Sequence, residues 1–159
     1  MTEHPREPTW IIARFNELTV ERLHDVLMAR QAVFVVEQQC IYNDVDALDR
    51  VAIHVLAYLR TELTAYARVL APGSRFAQAS FGRVLTTIPA RGSGLGQTLV
   101  RQCIAVCERE FPDQSIQISA QCYLQDFYSK FGFVVSSEPY DEDGIAHVDM
   151  LLDPTVTAV

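Results

Sequence analysis

The stretch Arg91-Gly92-Ser93-Gly94-Leu95-Gly96-Gln97 sets one guanidinium and three glycines between an apolar run ending at Ile88 and a long helical pattern starting at Leu95. Glycine loses more conformational freedom on folding than any other residue, so three at one helix mouth call for a reason. A helix N-terminus offers about four N–H groups without intrahelical acceptors, together with a partial positive charge. Glycine lets a bulky anion approach those groups, and a neighbouring arginine adds a full charge. The residue types suit a phosphate; a turn that merely lets helix and strand pack would use the same residues. Spacing excludes two other phosphate motifs. Gln97 stands where a Walker A loop would place its second glycine, and the third glycine comes one position too early for the dinucleotide fingerprint.

Such a loop needs a strand before it and a helix behind it. Ser80–Thr87 reads as the strand. Leu95, Leu99, Cys103, Cys107 and Phe111 recur every four residues, with Val100 and Ile104 in the adjoining row, and Pro112 ends the pattern. Upstream, Trp10–Phe15 reads as a strand. Thr19 caps a helix from Glu21, and Leu23, Val26, Leu27, Arg30 and Phe34 follow at helical spacing. Ala52–Leu59 and Leu63–Leu70 suggest a hairpin. Downstream, Ile116, Ile118 and Ala120 alternate with polar residues, and a short helix over 123–131 stops at Gly132. Phe133–Ser137 and His147–Leu152 read as a last strand pair, with Asp143-Gly144 in their connection. The order β-α-β-β-β-α-β-α-β-β predicts α/β layers on a mixed sheet.

Composition narrows the function classes. The chain has 159 residues, 49% of them hydrophobic, enough for one domain with a real core. Its net charge of −7 has the wrong sign for a general nucleic-acid binder. No apolar run approaches a membrane span of about 20 residues, and the first ten residues lack a signal-peptide core. Cys40, Cys103, Cys107 and Cys122 form no CxxC pair and read as small core residues. We expect a reduced, cytoplasmic protein with no metal.

The spacing Arg-x-x-Gly-x-Gly between strand and helix is similar to the pyrophosphate loop of the GNAT superfamily, the acetyl-CoA-dependent N-acetyltransferases. Two more phrases resemble it. Phe127-Tyr128-x-x-Phe131-Gly132-Phe133 is similar to its C-terminal motif. The segments Ala29–Tyr42 with Asn43-Asp44-Val45-Asp46, and Glu138–Met150, resemble its ElaA-like branch. The resemblance covers residues 12–150. It implies a GNAT fold of class α/β: a mixed, mostly antiparallel sheet with a splayed parallel strand pair and helices on both faces. One domain is expected over residues 1–159, with 1–9 as a flexible tail.

The implied chemistry is direct transfer of an acetyl group from acetyl-CoA to a primary amine of a small molecule or protein. No metal, nucleic acid or membrane is implied, and a homodimer is allowed. The resemblance puts the pantetheine arm along Val84, Leu85 and Thr86. The diphosphate falls on Arg91, Gly92, Ser93, Gly94, Leu95, Gly96 and Gln97. Tyr128 falls near the sulfur as proton donor, and Gln121 stands where many relatives have asparagine. Some relatives carry a glutamate base on the strand before the loop; here that strand carries Arg83 and no carboxylate. The base is therefore sought at Glu37, then at His147 or His54, or in a chain of waters. Glu37, Asp44, Asp46 and His147 are expected to border the acceptor groove, whose acidic loops would draw a cationic amine. A non-catalytic acyl-CoA sensor of the same fold is the alternative.

Overall fold

Strand residues alternate faces, so a strand whose apolar residues fall on both faces asks for cover on both sides. Ile53–Leu59 (β2) and Glu62–Leu70 (β3) are of this kind. In the computed structural model, which describes residues 7–154, they form the centre of an antiparallel sheet with Thr9–Arg14 (β1) and Ser80–Thr86 (β4), in the order β1-β2-β3-β4. Val55, Ala57, Ala65, Ala67 and Val69 pack with Leu99, Val100, Cys103, Val106 and Cys107 of helix α2 (Leu95–Glu110). Leu56, Tyr58 and Tyr66 pack with Val26 of helix α1 (Val20–Arg30) and with Val33 and Phe34 beyond it. Helices thus cover both faces. Each fully buried apolar side chain contributes about 1.5–3 kcal/mol, so the α2 face alone anchors the glycine loop at its N-terminus firmly.

Thr19 caps α1, its Oγ1 accepting from the Arg22 amide at 3.2 Å. The helix then widens into a seven-residue π-helical stretch, Gln31–Glu37, which ends with Glu37 near the mouth of the glycine loop. Wide turns of this sort recur at functional sites. β1 begins at Thr9, opposite Tyr58, inside the expected tail; the first six residues lie outside the described part.

The second sheet is built on Ile145–Leu152 (β8), with Ile116–Gln121 (β5) on one side and Val134–Val135 (β6) and Tyr140–Glu142 (β7) along the other. The expected last strand pair is present but only two residues long, Val134 opposite Leu151 and Val135 opposite Met150. Asp143-Gly144 instead closes a separate β7–β8 hairpin, with φ of 54° and 82°. Two positive φ values in a row are what a two-residue hairpin turn requires, so its strands must flank the dipeptide directly. A short helix, Gln125–Ser129 (α3), follows β5.

β4 and β5 run parallel and, among the described residues, are joined by a single bridge where they begin. Ala79 bridges Ile116, with the Gln117 amide donating to the Ala79 carbonyl at 2.9 Å. Beyond that point the two strands enter different sheets, and a slot opens between them. A bulge on β4 bends it away. Tyr66 faces Leu85 and Arg68 faces Gly82, so Arg83 and Val84 together oppose Ala67, with Arg83 at φ 52°.

Candidate active site

The glycine loop leaves its amides free. Arg91 N–H is taken by the Ile88 carbonyl at 3.2 Å, and the Thr98 N–H by the Gly94 carbonyl at 3.3 Å. Between them, the six N–H groups from Gly92 to Gln97 have no protein acceptor among the described residues. Gly92 and Gly94 sit at φ of 82° and 79°, where a Cβ is strained, and this conformation turns the chain into the helix. Gly96 differs. Its φ is ordinary, and an added Cβ would meet only Thr86 Cγ2 at 3.9 Å and Phe127 Cζ at 4.0 Å. A slot of about 240 Å³ lies against Thr86, Arg91, Gly94, Gly96 and Gln97. Ser93 faces outward, its hydroxyl held by the Ala90 carbonyl at 2.7 Å.

Next to this slot lies a larger cleft of about 800 Å³ between the splayed strands, and Thr86 and Arg91 border both. Val84, Leu85, Thr86, Gln121, Tyr128, Glu37, Asp46 and His147 all line the cleft. Tyr128 is buried, its ring held edge-on by Phe127 (5.1 Å between centroids) and Phe133 (6.1 Å). Its hydroxyl has no hydrogen-bond partner among the described side chains, so it is free to serve whatever fills the cleft. Burial pushes the phenol well above its ordinary range, which keeps the proton on the oxygen at neutral pH. Gln121 reaches across to Gln38, Nε2 donating to Oε1 at 3.3 Å.

Glu37 and Arg91 form a two-pronged ion pair at the cleft mouth, with Nη1–Oε1 at 2.7 Å and Nη2–Oε2 at 2.9 Å. The hydrogen bond from Arg91 holds the Glu37 carboxyl below its ordinary value. Such a carboxylate is a weak proton acceptor. Asp44 does not border the cleft. It is buried, with Oδ2 at 2.8 Å from Arg30 Nε and Oδ1 accepting from the Tyr42 hydroxyl at 2.9 Å. Asp46 holds the guanidinium of Arg68 through both carboxylate oxygens, at 2.5 and 2.9 Å. Asp49 takes Arg30 at 2.6 Å and Arg68 at 2.8 Å. Arg83 Nε lies 2.8 Å from Asp44 Oδ1, close enough for attraction but off the line of a hydrogen bond, while its Nη2 donates to the Asp44 carbonyl at 3.0 Å. Three arginines therefore match the three aspartates of this connection, and the electronegative wall expected here is neutralised. His54 is also withdrawn. It is buried in β2, with Nε2–H donating to the Asp49 carbonyl at 2.8 Å and Nδ1 accepting from the Tyr66 hydroxyl at 2.7 Å.

Arg30 and Arg68 were legible in kind but not in role. Each stands in an apolar row of the sequence, α1 and β3 respectively, where a buried guanidinium demands carboxylate partners. Glu142 belongs to the acidic loops expected along the acceptor groove, but Ser119 and Tyr140, which gather with it around His147, carry no sequence signal beyond polarity, because they meet only through the pairing of β5, β7 and β8.

A slot between splayed parallel strands, entered past a helix mouth with free amides, is the architecture of a coenzyme A-dependent acyltransferase. The acetyltransferase (GNAT) domain matches residues 24–154, and the chain belongs to that family. It is 44% identical to a UPF0039 protein of Synechocystis sp. over 91% of this chain and 95% of the relative, and 39% identical to Protein ElaA of Escherichia coli over 89% and 94%. Among solved structures, an acyl-CoA N-acyltransferase from Pseudomonas aeruginosa superimposes with a TM-score of 0.87 at 39% identity, covering 91% of this chain and 98% of that one. Escherichia coli ElaA superimposes with a TM-score of 0.85 at 38% identity, with the same coverage. The protein is an acyltransferase of the ElaA-like branch. No helix among the described residues is long and apolar enough to cross a membrane.

Proposed function

We propose that the protein transfers an acetyl group from acetyl-CoA directly to a primary amine. The observation that carries this reading is the run of six unpartnered amides from Gly92 to Gln97, beside a slot that continues into the Tyr128 cleft. Water satisfies these exposed N–H groups in the free protein, and a diphosphate, which supplies several acceptor oxygens at once, would replace it. A Bacillus subtilis acetyltransferase of similar fold (TM-score 0.63, 19% identity) was solved in complex with CoA.

Bound acetyl-CoA would supply an electrophilic thioester carbonyl and a thiol leaving group. The chain's own residues take the remaining tasks. The outer edge of β4 over Val84–Thr86 faces the gap left by the departing β5, where an extended amide-bearing arm would pair as Arg91 Nε gives up the Thr86 carbonyl it holds at 3.3 Å. An amide in this bulged segment, near Leu85, would hold a developing oxyanion. Tyr128 keeps its proton and donates a hydrogen bond at the sulfur position. An ordinary thiol titrates near 8.5, so a strong hydrogen bond is enough to aid its departure. Gln121 offers an amide to the same arm once it leaves Gln38.

Calorimetric titration with acetyl-CoA, followed by colorimetric release of free thiol in the presence of a panel of primary amines, tests this reading. Binding together with amine-dependent thiol release is the expected outcome. Binding without release from any amine would reduce the protein to a coenzyme-binding module, and no binding would remove the assignment.

A further inference from the structure

His147 stands on β8 opposite Gln121 of β5 and Tyr140 of β7. Its Nδ1 lies 2.7 Å from the Ile145 carbonyl, which can only accept, so Nδ1 carries the hydrogen and Nε2 of the neutral ring bears a lone pair. The nearest acid to that nitrogen is Glu142, whose Oε2 is 3.5 Å from it. Two lone-pair atoms facing each other at this distance have no hydrogen between them. A group with several N–H donors and a positive charge would satisfy both.

The surroundings hold this pair still. Tyr140 stacks on the imidazole with an interplanar angle of 23°. Its hydroxyl donates to Asp149 Oδ1 at 2.6 Å and lies against Ser119 Oγ, which donates to Glu142 Oε2 at 3.1 Å. Arg75 Nη2 donates to Glu142 Oε1 at 2.9 Å. The charged groups on this wall, Glu142 and Asp149 with Asp143 at the turn, outnumber Arg75. The opposite wall differs, because Asp46, which lines it, and Asp44 and Asp49 behind it are matched by Arg30, Arg68 and Arg83. His147, Glu142 and Tyr128 border the same cleft.

We propose that Glu142 and His147 form the seat of the acceptor's ammonium group, and that His147 Nε2 is the general base. This rests on the N-acetyltransferase reading and narrows its acceptor to primary amines that arrive protonated. In the step, one N–H bond of R–NH3+ breaks. Its electron pair stays on the amine nitrogen as the nucleophilic lone pair, and the proton moves to Nε2, giving an imidazolium. Glu142, beside it, stabilises that charge. Glu37 does not take this role, being held as a weak base by Arg91.

Nitrogen-15 NMR of the imidazoles in the intact protein tests the seat without turnover. His147 is assigned by its loss in His147→Gln. Propylammonium should perturb Nε2 of His147 saturably. Tetramethylammonium, with the same charge and no N–H, should not, and Glu142→Gln should abolish the response to propylammonium. Steady-state kinetics with a reactive amine then tests the base. His147→Gln should lower kcat/KM by about 10²-fold and remove the acid limb of its pH profile. Glu142→Gln should raise the amine KM by about tenfold with a smaller change in kcat. Both variants should keep coenzyme A affinity within about twofold. Equal perturbation by tetramethylammonium, no saturable perturbation by propylammonium, or an unchanged rate in His147→Gln would each overturn the proposal. If acetyl-CoA fails to bind the unaltered protein, the acetyltransferase reading fails, while the NMR titration still decides the ammonium seat.

Discussion

Alanine at position 96 separates a glycine kept for a ligand from one kept for the fold. The backbone there is not in the left-handed region, and the nearest heavy atoms to an added Cβ are 3.9 and 4.0 Å away, ordinary contact distances. The free protein therefore has room for the methyl group. Alanine in place of glycine in a helix gains roughly 0.5–1 kcal/mol, which for a chain of this size raises Tm by about 2–4 °C per kcal/mol. The same methyl group projects beside Thr86 and Phe127 at the rim of the slot that the diphosphate would fill. Losing one charge-assisted amide contact there costs about 1.5–3 kcal/mol, or a weakening of coenzyme A binding by roughly 10- to 100-fold. Differential scanning calorimetry of the free variant and calorimetric titration with coenzyme A measure the two effects separately. A more stable protein with poorer binding is expected. Unchanged binding would mean that the anion does not approach this helix mouth, and a lowered Tm would mean that the glycine serves packing.

Further expectations follow from neighbouring geometry. Glu37→Gln frees Arg91 from an exposed pair worth about 0.2–1 kcal/mol, so coenzyme A should bind up to about fivefold tighter at low salt; weaker binding would mean that Glu37 orients Arg91 instead of competing for it. Tyr128→Phe removes a hydroxyl that has no protein partner, so stability should stay within about 0.5 kcal/mol while kcat falls about 10²-fold; an unchanged kcat would take Tyr128 out of the chemistry. Asp49→Asn breaks a buried network at the point where Arg30 and Arg68 meet and should destabilise by about 3–5 kcal/mol in urea titrations; a loss under 1 kcal/mol would show that the arginines find other partners. Stability should also fall in two stages as pH is lowered. Burial holds the His54 imidazole below its ordinary value, so the unfolded chain takes up a proton that the native one refuses, and stability declines below about pH 6.5 with a slope near 1.4 kcal/mol per pH unit. Burial raises the Asp46 and Asp49 carboxyls, but Arg68 for the first and Arg30 with Arg68 for the second outweigh it and hold them low. Their contribution is present above the unfolded value near 3.9 and is lost as pH falls below it. His54→Gln should flatten only the upper stage, and a persisting slope there would assign it to another group.

The elements of this protein were readable from local pattern because local physics makes them. Apolar residues every four positions dictated α2, a cap at Thr19 dictated the start of α1, and glycines at 92 and 94 dictated a left-handed turn into a helix that exposes its first amides. The glycine loop was legible for the same reason, whereas Tyr128 was singled out only by the resemblance of Phe127–Phe133 to a family motif. Tertiary structure alone decided the rest. Asp44, Asp46 and Asp49 read as a free acidic loop, yet they lie under Arg30, Arg68 and Arg83, which come from a helix and two strands 14 to 39 residues distant. Burial removes water from both signs of charge, and only close pairing offsets that loss, so the partners could be known only once the sheet had brought them together. His147 and Glu142 likewise meet only because two positive φ values at Asp143-Gly144 fold β7 back on β8. The sequence could name the residue types able to move a proton, but which nitrogen faces which carboxylate is a matter of strand register, and register is set by the whole sheet.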